Sequence, residues 1–235
     1  AGNLGVGGSV TDCSVLSGSV SSTETAAVTV CVGGITGLCE GTLDRCSNAA
    51  AVTKYGGNAS VYAYVGGIAG RVTEALELSG SSNSGTISTS NYSYAGGLIG
   101  QSVKKIRMQD CSNTGEVLYG SRAGGLLGFA SDAAEIYGCR NSGRIEGGDS
   151  YDYRAGLIGY AEKDVVMETC TNTGTVTYGN CGGIIGRCNG MATITDCVNS
   201  GTISGSYGNG SGNARELSKM KLRGCRNNGY ISAYY

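Results

Sequence analysis

The chain has 235 residues with a formal net charge of −1, 43 glycines, eleven cysteines, and no histidine, proline or tryptophan. A balanced charge sets up no field that would steer the chain to nucleic acid, and no apolar run approaches the roughly 20 residues of a membrane span. Without histidine or a C-x2-C pair, zinc-type ligation is excluded, so neither a metal nor another cofactor is expected.

Residues 1–30 are a worn copy of the repeat that fills the rest of the chain: VTDC ending at Cys13 resembles ITDC ending at Cys197, and SGSVS from Ser17 stands for SGTIS from Ser200. No charged-then-apolar leader opens the chain, as expected of a mature fragment that belongs with further domains of the same polypeptide. Regular copies fill residues 31–204. VGGITG from Val32 returns as VGGIAG from Val65, AGGLIG from Ala95, AGGLLG from Ala123, RAGLIG from Arg154 and CGGIIG from Cys181. Each is followed by a turn signature, as in CSNTG from Cys111, CRNSG from Cys139, CTNTG from Cys170 and CVNSG from Cys197, with Ser81 replacing Cys in one copy. Self-similarity at such a step is the signature of stacked repeats. From the second Gly to the Cys position the distance is constant, as from Gly67 to Ser81 or Gly97 to Cys111, whereas the return stretch varies in length. Residues 205–235 are a degenerate last copy. NARELSK from Asn213 stands where the glycine motif is due, so segment 205–219 is expected to bulge out or cover the end of the stack.

Inside the constant stretch, apolar residues alternate with polar ones: Leu76 and Leu78 around Glu77, Ile106 and Met108 around Arg107. Period two marks a strand with one buried face. N-x-G predicts a left-handed corner, its stacked Asn side chains predict a hydrogen-bonded ladder, and the Gly pair predicts close interior packing. Stacked neighbours in a parallel ladder do not converge as a disulfide requires, so the Cys column reads as buried thiols. These features predict an all-β, single-domain parallel β-solenoid, right-handed, with about eight rungs of three short strands each.

The G-hydrophobic-x-G core, read as GITG, GIAG, GLIG, GLLG, GLIG and GIIG, resembles the GLUG repeat. That resemblance implies a bacterial extracellular or cell-surface module of the kind that accompanies IgA-specific metallopeptidases, outside their catalytic domain. No H-E-x-x-H occurs, so peptidase activity does not carry over.

Recognition is expected at the variable stretch, which carries tyrosine in every copy and has the Tyr, Ser, Gly and Asn composition of adaptable binding surfaces. Candidate ligand-binding residues are Tyr62, Tyr64, Tyr92, Tyr94, Tyr119, Tyr151 and Tyr153, with Arg122 and Arg154, and the expected partner is a glycan or a host surface protein. The alternative is a carbohydrate-active β-helix enzyme, a polysaccharide lyase or glycosidase. Its one acidic pair, Asp149 with Asp152, falls in a single loop, and the non-catalytic reading is the one adopted.

Overall fold

The computed structural model of the chain describes residues 2–56, 61–90, 92–147, 152–206, 210–212 and 214–234. Its ordered elements are short β-strands in parallel sheets, stacked as a β-solenoid of about seven turns and consistent with a right-handed β-helix. One turn shows the plan. Ala63–Gly66 leads into the Gly pair, Ala69–Val72 leaves it, Leu76–Ser79 carries the alternating stretch, Ser82–Asn83 is the Asn turn, and Ile87–Ser88 closes the circuit. Copies of these five strands in successive turns pair with one another and form five columns.

Five strands stand where the sequence predicts three because both expected turns are finer than their patterns suggest. The Gly pair is a corner between two strands, and the Asn turn is itself a two-residue strand. Close approach explains the corner. A Cβ on Gly97 would lie 2.4 Å from Asn113 Cγ and 2.1 Å from the Gly125 carbonyl, and one on Gly67 would meet Asn83 in the same way. The second Gly of each motif and the Asn that comes after it are therefore one packing unit, the side chain filling the space the glycine leaves.

That unit divides the interior. Ile68, Leu98, Leu126, Leu157 and Ile184 pack with the Leu76/Leu78 rows and the cysteine column from Cys46 to Cys225 in one apolar cluster. Val65, Ala95 and Ala123 pack with Ile87, Val117, Ile145 and Val176 in a second. Between them runs the Asn ladder. Asn48 Nδ2 donates to Asn83 Oδ1 at 2.8 Å, and the relay continues through Asn113, Asn141, Asn172 and Asn199 to Asn227. The second hydrogen of each amide caps the carbonyl two residues on, such as Gly115 O at 2.7 Å from Asn113. Asn48 to Asn199 are buried, and each amide meets its partners inside the protein, as burial requires.

The left-handed residue is not at N-x-G, as expected, but immediately before the Cys position. Asp12, Arg45, Gly80, Asp110, Gly138, Thr169, Asp196 and Gly224 all have φ between 45° and 65°. The glycine of N-x-G serves proximity instead: a Cβ on Gly115 would lie 2.1 Å from the Gly85 carbonyl of the preceding turn.

All eleven cysteines are free. In the column, thiols donate to the carbonyl two residues earlier, as Cys139 does to Tyr137 O at 3.3 Å. Two also accept from the preceding turn, where Cys111 N–H meets Cys139 Sγ and Cys170 N–H meets Cys197 Sγ, both at 3.3 Å. Ser81 does the same with its hydroxyl, accepting from Cys46 N–H at 3.0 Å and donating to Ser79 O at 3.1 Å, so it fills the column without a sulfur.

At the C-terminal end the described part of segment 205–219 covers the stack, as one of the two expectations had it, and does not bulge out; residues 207–209 and 213 lie outside the described residues. Ala214–Arg223 is a ladder strand paired to Ile185–Thr195, from Ile185 opposite Ala214 to Thr195 opposite Arg223, with one register shift between Cys188 and Met191. Gly210–Ser211 pairs with Cys181–Gly182, and a Cβ on Gly212 would fall on Asn227, so GSG from Gly210 supplies the corner without the usual glycine motif.

Candidate binding face

The variable stretch joins the fifth column of one turn to the first column of the next, and the candidate residues divide there into three groups. Tyr64, Tyr94, Arg122 and Tyr153 are not loop residues. They occupy one outward row of the first column, in register Tyr64 to Tyr94 to Arg122 to Tyr153. The second column supplies a facing row, Arg71, Gln101, Phe129, Tyr160 and Arg187. Side chains from the two rows pack against one another across the Gly corner, ring on ring and guanidinium on ring. Tyr94 and Phe129 lie 4.8 Å apart between centroids, Phe129 and Tyr160 5.4 Å. The Arg122 guanidinium stands over Tyr94, Phe129 and Tyr160 at 4.9, 4.5 and 4.1 Å and donates to Tyr94 Oη at 3.1 Å. Burial pushes the Tyr94 phenol up to about 12. Tyr94, Phe129 and Tyr160 are each 6–7 % exposed, so their ring faces are spent on one another.

Tyr62, Tyr92 and Tyr119 form the second group, exposed at the corner. Tyr62 stacks on Tyr94 at 4.5 Å and meets Tyr92 edge-on at 6.4 Å. Tyr92 and Tyr119, together with Tyr178, have left-handed backbones, with φ of 61°, 68° and 63°, and are 44–54 % exposed. For a bulky L-residue this conformation costs ~1–2 kcal/mol relative to the right-handed one, a cost glycine does not bear. Tyr178 was outside the sequence candidates. Its signal was the Y-G pair shared by Tyr119-Gly120 and Tyr178-Gly179. The facing row of Phe129, Tyr160 and Arg187 was also missed, although each comes directly after the last glycine of its motif.

Arg154 is the third case. It occupies the inward row of the first column, between Ala123 and Cys181, and is fully buried. Its Nη2 pairs with Asp152 Oδ2 at 2.9 Å and its Nη1 donates to the Tyr178 carbonyl at 2.8 Å. It is not a surface group and cannot meet a ligand directly. The same ion pair occupies the Asp152 carboxylate, while Tyr151 and Asp149 lie outside the described residues. Among the described residues no cluster of Cys, Asp and Glu could hold a metal ion.

Beside Tyr178 is an open cleft of about 460 Å³ lined by Thr177, Tyr178, Ser204 and Ser206. Comparison with protein-family models, with curated proteins and with solved structures finds no match to this chain. The resemblance to GLUG repeats therefore rests on the motif itself.

Proposed function

We propose that the chain is a non-catalytic repeat module of a bacterial surface or secreted protein, in keeping with the GLUG repeats it resembles, and that it binds a glycan or a host surface protein through tyrosines at the variable corner. The observation that supports this most is the set of exposed tyrosines held in left-handed backbone. Left-handed positions, which favour glycine on energetic grounds, carry a large aromatic ring three times in the variable stretch: Tyr119 and Tyr178 at one equivalent position, two residues after Val117 and Val176, and Tyr92 at another, three residues further along its copy. Strain retained at an exposed site points to a use for the side chain, and a rigid amphipathic ring suits recognition. Stacking within the ladder explains the Asn, Gly and Cys columns but makes no demand on these rings.

The reading is tested by probing a glycan array and a panel of immobilised host matrix proteins with the parent and with a Tyr92→Ala, Tyr119→Ala, Tyr178→Ala triple variant. Binding by the parent that the variant loses, with an unchanged melting transition, is expected. Equal binding by both would return the corner to a mere cover and leave the chain a spacer.

A further inference from the structure

We propose that the cleft formed by Thr177, Tyr178, Ser204 and Ser206 is a subsite for a neutral pyranose, with the Tyr178 ring as its stacking platform and buried Arg154 as the residue that positions that ring. This rests on the binding-module reading above and assigns it a location and a ligand class.

Three observations converge on the cleft. Its wall is a ring, since Tyr178 is 54 % exposed and its left-handed backbone turns the side chain away from the stack. Its floor is made of hydroxyl-bearing residues, of which Ser204 Oγ meets Ser232 Oγ at 2.7 Å and Ser206 Oγ accepts from Gly179 N–H at 3.3 Å. Thr177 and Ser204 are successive members of the outward row of the fifth column, and Ser206 lies two residues beyond Ser204. No charged side chain lines it among the described residues. One of those hydroxyls is short of a partner: Thr177 Oγ1 is buried and makes no hydrogen bond in the protein. A buried hydroxyl without a partner is costly, and rotation of the Thr177 side chain about χ1 toward the cleft, to meet a ligand hydroxyl there, would relieve that cost. A ring that offers an apolar face, next to hydroxyls that donate and accept, is complementary to a sugar, which has C–H groups on one face and hydroxyls at its edge. A carboxylate or phosphate would find no cation among the described residues that line this cleft.

The ring is also held in place from inside. Tyr178 N–H donates to Ser204 O at 3.0 Å, and its carbonyl accepts from Arg154 Nη1 at 2.8 Å and from Cys181 Sγ at 3.0 Å. The Arg154 guanidinium passes over Gly147, where a Cβ would lie 1.7 Å from Cζ, so the neighbouring turn leaves room for it through a glycine. A buried, ion-paired arginine is expensive, and here its fork pins the strained residue that carries the platform. Pre-organisation of this kind reduces the entropy a ligand must remove on binding.

The test titrates the intact 235-residue chain with maltose, cellobiose and lactose, and with a glucuronic acid-containing disaccharide as the charged arm, read by saturation-transfer NMR and by the intrinsic tyrosine fluorescence of a chain that lacks tryptophan. We expect at least one neutral disaccharide to bind and the charged one to bind no better. Tyr178→Ala should weaken binding about tenfold or more, and Thr177→Val, which keeps the shape and removes the hydroxyl, several-fold. Arg154→Met, if it folds, should weaken binding in proportion to loss of the Tyr178 left-handed signature in NMR couplings. Should Arg154→Met fail to fold, the Tyr178 and Thr177 variants decide alone. Sugar binding that survives in Tyr178→Ala but fails in a Tyr62→Ala, Tyr92→Ala variant would overturn this subsite while leaving the module reading intact. No binding of any neutral sugar at millimolar concentration overturns the subsite as well, and array binding of a host protein would then still support the module.

Discussion

The Asn ladder permits a graded test of what holds the solenoid together. Asn113 donates to Gly115 O at 2.7 Å and Asn141 Oδ1 at 2.8 Å, and accepts from Asn83 Nδ2 at 2.8 Å. Asn113→Ala removes all three bonds in a place that is 1 % exposed and leaves buried groups on both neighbours with a lost partner. At about 1 kcal/mol net per bond, with a further penalty for stranded polar groups, the loss comes to about 3–5 kcal/mol. Asn227, the last member, is exposed, and its loss deprives Asn199 of one acceptor that water can replace. Asn227→Ala should therefore cost about 1 kcal/mol. For a chain of this size each kcal/mol moves the melting temperature by about 2–4 °C. Far-UV circular dichroism melts should show Asn113→Ala displaced by about 6–20 °C and Asn227→Ala by only a few degrees. Equal shifts for the two, or a negligible shift for Asn113→Ala, would refute the claim that the ladder is a buried and cooperative seam.

Three further outcomes are expected of the interior. Ellman titration in denaturant without reductant should return close to eleven thiols per chain, with Cys13 reacting first in the folded protein because it alone is exposed; finding few thiols would contradict the reduced column. Burial raises the Cys181 thiol to about 12 and the Cys188 thiol to about 11 from an ordinary 9.0, so between those values the folded chain retains protons that the unfolded chain releases. Stability should then fall as pH rises above about 9, by about 1.4 kcal/mol per pH unit for each thiol, and Cys181→Ala should flatten that fall in urea titrations; a stability that rises or stays level from pH 9 to 11 would count against it. Gly125→Ala should destabilise far more than Gly5→Ala, because a Cβ on Gly125 would lie 2.3 Å from Asn141 Cγ, whereas one on Gly5 would meet nothing within 4 Å; chemical denaturation that ranks the two the other way would remove the Gly-Asn unit from the account.

Much of this architecture was legible in the chain because stacking forces repetition. Residues that must meet their own copies one turn away, such as Asn113 with Asn83 and Asn141, recur at every step, and the recurrence marks them. What was hidden depends on where the chain bends. Alternation through Leu76 and Leu78 predicts their burial correctly, but no period carries through the Gly corner, so the inward row of the first column could not be phased with the rest. Arg154 stands in that row with Ala95, Ala123 and Cys181, and its charge suggested the surface. Its partner Asp152, two residues earlier, was the available sign of a buried ion pair. The left-handed residue before each Cys position was concealed by its variety, since Asp, Arg, Thr and Gly share it. Gly212 was overlooked because GSG keeps the spacing of the corner without its spelling.

The corner tyrosines permit the most direct test of the functional account, which holds that their rings are kept against the preference of the backbone. Tyr119→Gly and Tyr178→Gly relieve a left-handed conformation worth ~1–2 kcal/mol, offset in part by the ~0.5–1 kcal/mol that glycine adds to the entropy lost on folding. Melting each variant beside the parent and repeating the array measurement on the same samples answers the question. The account predicts melting temperatures equal to or above that of the parent together with loss of ligand binding. Variants that melt well below the parent while binding as it does would show that these rings serve the fold.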